Sequence, residues 1–182
     1  MHARHLLVRM AENNMWSNAR LHRAVARLTR EEYEATRTSF FPSIKKTLEH
    51  VYLVDLFYVD ALERGGKGRA MYDAPDPTFE QSEQLAQAQR AVDARLIAVA
   101  SSFATDDALD DRVVLSRPRG DFHERAGDVL AHLLQHQVHH RGQAHAMLAG
   151  TNVEPPQLDE FFLEEDAPVR DAELAELGLR AP

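Results

Sequence analysis

Apolar positions recur at helical spacing along most of the chain. Leu6, Met10, Leu21, Val25 and Leu28 share one face, with Trp16 beside them, and predict a first helix from Leu6 to Leu28 that ends near Thr29. Residues 30–41 turn charged and then aromatic. Pro42 and Ser43 then open a second helix that runs to about Arg64, where Gly65, Gly66 and Gly68 stop it. This helix is apolar on more than one side through Val51 to Val59, the pattern of a helix packed against several neighbours. Residues 66–77 form a loop. Thr78 and Gln81 have the spacing of a capping box, and Leu85, Val92, Leu96, Val99 and Phe103 mark one face of a third helix.

The helical pattern breaks between Thr105 and Glu124. DRVVLS is β-branched and short and RPRGD is rich in turn formers, which predicts one extended segment or hairpin. A fourth helix follows from about Glu124 to Ala149, with Gly150 placed for a left-handed cap. Beyond Pro156 some order is expected at LDEFFL and a loose acidic chain after it. The expected architecture is all-α, a four-helix bundle spanning residues 1–163, with a short hairpin or extended segment before the fourth helix and a partly ordered acidic tail over 164–182.

Composition narrows the function. At 182 residues, 44% of them apolar, the chain is long enough for a single domain with its own core. Its 29 acidic residues outnumber 21 basic ones, for a net charge of −8, and the basic residues are scattered, which argues against a nucleic-acid partner. The apolar runs fall short of the ~20 residues a membrane span needs, and MHARHLLVRMAENN lacks the apolar middle of a signal peptide, so the expected location is the cytoplasm. Cysteine is absent, which leaves nitrogen and oxygen as the strong metal donors.

The chemistry concentrates in HLLQHQVHHRGQ, residues 132–143, with four histidines in one helical stretch. At about 100° per residue, an arc centred on His136 takes in Val129, His132, Leu133, His139, His140, Gln143 and Met147, and its apolar members mark it as facing the core. His136 and His140, at i and i+4, project from adjacent turns toward one point, as two ligands of one ion must. A third ligand has to come from a neighbouring helix. His50 is the one histidine of the second segment, on the line Thr47, His50, Val54, Phe57 and Ala61. Three neutral imidazoles would leave coordination positions open, as a catalytic site requires.

The other polar residues have blander readings beside functional ones. His132 and His139 lie at the edges of the arc and flank the site. Gln143 points inward, toward a ligand or a bound water. Asn14 and Ser17 interrupt an apolar face of the first helix and either line a pocket or make a buried hydrogen bond. Arg141 points away from the centre and is expected in a salt bridge or against another helix's end. His2, His5, His22, His123 and His145 are read as surface residues. No carboxylate can be assigned as general base: Glu49 and Asp55 should face elsewhere, and Asp159 or Glu160 could reach over from the tail.

The run HQVHHRGQAHAMLAGTNVEPPQLD, together with WSNARL in the first helix and LEHVYLVDLFYVDAL in the second, resembles the DinB-like proteins, metal-binding four-helix bundles related to bacillithiol and mycothiol transferases. The resemblance spans most of residues 5–163 and is strongest at His136, His140, Arg141, Gly142 and Gln143. It implies that His50, His136 and His140 hold one divalent metal. It also implies frequent homodimers and activities ranging from thiol-cofactor S-transfer and maleylpyruvate isomerisation to hydrolysis.

The expected function is therefore a metal-dependent enzyme acting on a small molecule, with the ion activating a water or a thiol. Zinc or nickel comes first as the ion, then iron or copper, with a low-molecular-weight thiol as a second cofactor. The alternative is a metal-binding stress or interaction protein without catalysis, and a metal-free version is a further rival. Ligating rings must be neutral, so metal occupancy is expected to weaken as pH falls through about 6.5.

Overall fold

The computed structural model describes residues 2–180. Residues 1, 181 and 182, at the ends of the two expected regions, lie outside them. Four long helices form the bundle: α1 (Ala3–Val25), α3 (Ile44–Leu62), α5 (Ser82–Ser102) and α6 (Ala126–Leu148). Both α1 and α3 pack on α5 and on α6. Two short helices, α2 (Arg30–Glu34) and α4 (Gly68–Asp73), lie in the connections, and α7 (Ala167–Glu176) follows the bundle. Strands β1 (Arg112–Arg117) and β2 (Gly120–Arg125) form an antiparallel hairpin in register from Arg112↔Arg125 to Arg117↔Gly120. The expected all-α bundle with one hairpin is the observed fold.

Local chemistry sets the boundaries that differ. The first helix stops at Val25 because Thr29 begins a new one: its hydroxyl accepts from the Glu32 N–H while the Glu32 carboxylate accepts from the Thr29 N–H. Ser43 caps α3 as expected, accepting from the Lys46 N–H at 3.2 Å. The box expected at Thr78 and Gln81 sits three residues later, between Gln81 and Gln84, so α5 begins at Ser82. Pairing of β2 with β1 holds Glu124 and Arg125 extended and delays α6 to Ala126. Gly150 is not left-handed; α6 ends through Ala149 in the right-handed region, with the Gly150 N–H on the Met147 carbonyl.

The tail is the largest correction. The chain over Glu164–Glu176, expected to be loose, is helical, and α7 packs on the bundle. Leu174 is fully buried, and Arg170 donates to the Glu160 carboxylate at 2.7 Å with both side chains almost inaccessible. Glu173 accepts from Trp16 Nε1, Arg20 and Arg23 and so ties α7 to α1. The acidic composition that suggested disorder supplies the partners for basic and indole groups of α1.

His22, read as a surface residue, is buried and its Nδ1 has no hydrogen-bond partner. Burial pushes its pKa down to about 4. As pH falls from about 6.5 the unfolded chain binds this proton first, so the folded state loses stability until about pH 4 and the loss then levels off. Between pH 7 and pH 5 this one group should cost roughly 2 kcal/mol. Urea unfolding of wild type and His22→Leu at both pH values measures it: the wild type should lose that much more than the variant, and equal losses would place the proton elsewhere.

Candidate metal centre

His50 on α3 faces His136 and His140 on α6, and one ring nitrogen from each lies within 4.8 Å of the others. Among the described residues this is the one His, Asp or Glu cluster of that kind. The Nε2 atoms of His50 and His136 are 3.0 Å apart. Two nitrogens at ordinary bond lengths on a tetrahedral zinc would stand about 3.3 Å apart, so this pair needs almost no movement to share an ion. The rings of His136 and His140 are 4.3 Å apart and those of His50 and His140 4.7 Å. Phe41 packs on the cluster, 4.2 Å from the His50 ring.

Hydrogen bonding and burial prepare the rings as neutral donors. Gln143 Oε1 lies 2.8 Å from His140 Nδ1, and Gln143 Nε2 lies 3.1 Å from His139 Nε2. An amide oxygen accepts and an amide nitrogen donates, so His140 carries its proton on Nδ1 and presents the Nε2 lone pair to the cluster. Burial, then the neighbouring histidines, push His136 down to about 3. Burial and His140 push His50 down to about 4 against the opposing charge of Asp76. His140 is lowered as well, by burial, with the Gln143 bond working against it. Protonation expected near about 6.5 for free histidine is displaced to more acidic pH.

The flanking residues sort themselves by position. His139 is exposed and reaches the centre through Gln143; His132 is exposed, with its ring 6.5 Å from that of His136. Asn14 and Ser17, candidates for a pocket, sit in the core instead: Asn14 donates to Asp93 and accepts from Arg141 there, and the Ser17 hydroxyl has no partner. None of the weighed carboxylates joins the histidine cluster. Glu49 accepts from the Phe79 N–H and from Lys46, Asp55 faces the core, Glu160 is held by Arg170, and Asp159 is exposed.

Sequence patterns alone did not disclose the buried polar network behind the centre. Arg141 does point away from the histidines, but into the bundle, where it donates to Asn14 and Asn18 of α1. Asn14, Asn18 and Gln89 donate to Asp93, and Gln89 and Gln137 donate to Asp55 Oδ2. Asp55 is the tie between α3, α5 and α6. Burial and the charge of Asp93 raise its pKa, and its other oxygen, like the side-chain oxygens of Gln89 and Gln137, lacks a partner. A proton on Asp55 supplies a donor to a region that otherwise offers acceptors. Asp93 is raised by burial, against its amide donors and Arg141, while burial lowers Arg141 only to about 10, so the guanidinium stays charged.

Positions next to each other on α6, about 100° apart around the helix, thus serve different faces. His136 and His140 turn to the centre; Gln137 and Arg141 turn to the network. A cleft of about 290 Å³ opens beside the centre, walled by His50, Leu53, Val54, Phe57, Tyr58, Met71, Tyr72, Arg117, His132 and His136. A larger groove of about 360 Å³, lined by His22, Asn18 and Asp93 among others, touches none of the three histidines.

Comparison with known proteins places the chain in a family. The chain is 26% identical over 147 residues to Protein DinB of Bacillus subtilis (strain 168), covering 77% of this chain and 83% of that one. A crystal structure of a DinB-like protein from Bacillus cereus ATCC 10987 superposes with a TM-score of 0.58 at 18% identity, over 78% of this chain and 90% of the other. The sequence profile of the DinB family matches residues 1–173, through the bundle and into α7, and the chain belongs to the DinB family.

Proposed function

We propose that His50, His136 and His140 bind one divalent metal ion and that the protein is a metal-dependent enzyme, a thiol-cofactor S-transferase or a hydrolase. The observation that carries the reading is the convergence of three neutral imidazoles on one point, without a carboxylate, at the wall of an apolar cleft. Neutral ligands leave the full charge of a bound dication to act as a Lewis acid, which lowers the pKa of a water or thiol held there. Zinc and nickel suit an imidazole set best, and iron or copper are accommodated by the same donors. The cleft excludes water from the apolar part of a substrate, Gln143 holds His140 in its donating tautomer, and the buried network fixes the spacing of α3 and α6. The reading carries with it a cytoplasmic location, a homodimer and, for a transferase, a low-molecular-weight thiol.

Metal-loaded protein assayed against thiol-conjugate, ester and amide panels should turn over at least one class, with loss of turnover in His136→Ala. A folded protein that binds its ion tightly and turns over none would instead support metal binding without catalysis.

A further inference from the structure

Within the cleft, Arg117 has no role in the metal centre. Side chains along β1 alternate faces, so Arg117 shares its face with Val113 and Leu115, both buried against the bundle. A charged side chain turned toward the interior is ordinarily paired with an opposite charge. Among the described residues Arg117 forms no ion pair, in a chain with 29 acidic side chains. Its guanidinium is instead held in place by uncharged groups. Nη2 donates to the Tyr58 hydroxyl at 2.8 Å, and the group lies 5.7 and 5.9 Å from the ring centres of Phe57 and Tyr58. Because Tyr58 Oη accepts this bond, its own O–H is left to donate elsewhere. The remaining guanidinium donors and a phenol proton are thus available at one end of the cleft, with no anion among the described residues paired to them.

Tyr58 stands eight positions after His50 on α3, about 12 Å along the helix, and the His132 ring lies 5.2 Å from the Tyr58 ring and 6.5 Å from that of His136. We propose that Arg117 and Tyr58 form an anion-recognition subsite. The substrate is then an elongated organic anion whose carboxylate or phosphate sits on the guanidinium, whose apolar body lies against Leu53, Val54 and Met71, and whose reacting group reaches the histidines. The planar fork of arginine suits both anions. This rests on the proposed metal centre for the location of the reacting group, but not for the recognition of the anion.

The test separates the two by using metal-free protein. Octanoate, octanamide and heptyl phosphate are titrated by calorimetry and by chemical-shift mapping into wild type stripped with chelator. One of the two anions should bind about tenfold tighter than the amide and shift the Arg117 and Tyr58 side-chain signals; whichever it is names the headgroup. Arg117→Gln should abolish that preference with an unchanged melting temperature, and Arg117→Lys should restore part of it. The same preference should persist in His136→Ala, so failure of metal binding alone would leave the subsite standing. Equal binding of acid and amide, or a preference that survives Arg117→Gln, would overturn it.

Discussion

Arg141→Met is expected to lower stability at pH 7 by about 3 kcal/mol or more, in the range for removing one member of a buried charged network. The methionine fills much of the arginine's volume, so the loss comes from electrostatics rather than from a cavity. It leaves the side-chain oxygens of Asn14 and Asn18 without their donor and Asp93 without the nearby cation that favours its ionised form. Asp93 should then take up a proton at higher pH, which recovers part of the loss as the medium is acidified. Asp93→Asn in the Arg141→Met background should recover it at pH 7 as well, and the coupling in a double-mutant cycle reads the interaction directly. Denaturant unfolding at pH 7 and pH 5 checks each step; a loss below about 1 kcal/mol, unchanged with pH, would mean that the amides alone hold the network.

The three-histidine cluster was legible in the sequence, and the buried network behind it was not. His136 and His140 stand out because an i, i+4 pair of imidazoles on an apolar arc places two ionisable rings where burial favours neutral ligands, and His50 because it is alone in its helix. Arg141 does not stand out, because charge ordinarily marks a solvent face. Yet Leu130, Leu134, Gln137, Arg141, Ala144 and Leu148 recur at three and four residues and are all buried, and they form the main core stripe of α6. Comparable lines run through Ala11, Asn14, Asn18 and Leu21 of α1 and through Leu85, Gln89, Val92 and Leu96 of α5. Polar residues inside core stripes of several helices, near mid-length in each, are the signal of a shared buried network. A single helical wheel cannot show it because the partners lie on different helices. The packing of α7 was hidden for a similar reason: its partners, Trp16, Arg20 and Arg23, lie about 150 residues away. Arg117 needed the hairpin register before its inward direction could be seen.

His50→Ala is expected to weaken divalent-metal affinity by more than about a hundredfold, beyond the 10–100-fold that partners outside the ligand set usually carry. It removes one of three donors, and no carboxylate in the cluster can replace it. A competition titration of zinc and of nickel against a chromophoric chelator at pH 7.5, where all three rings are neutral, gives the ratio; an affinity within tenfold of wild type would exclude His50 as a ligand. The accompanying melting curves separate an ion that holds the fold from one that serves a reaction. The apolar core and the Asp55–Asp93–Arg141 network join the four bundle helices without any contribution from the three histidines. Metal-free wild type and metal-free His50→Ala should therefore unfold cooperatively at similar temperatures. Added ion should raise only the wild type, by the mass-action amount of about 2.7 kcal/mol at a hundred times the dissociation constant. A metal-free wild type that fails to fold would instead make the ion structural, and the open positions at the cleft would lose their catalytic meaning.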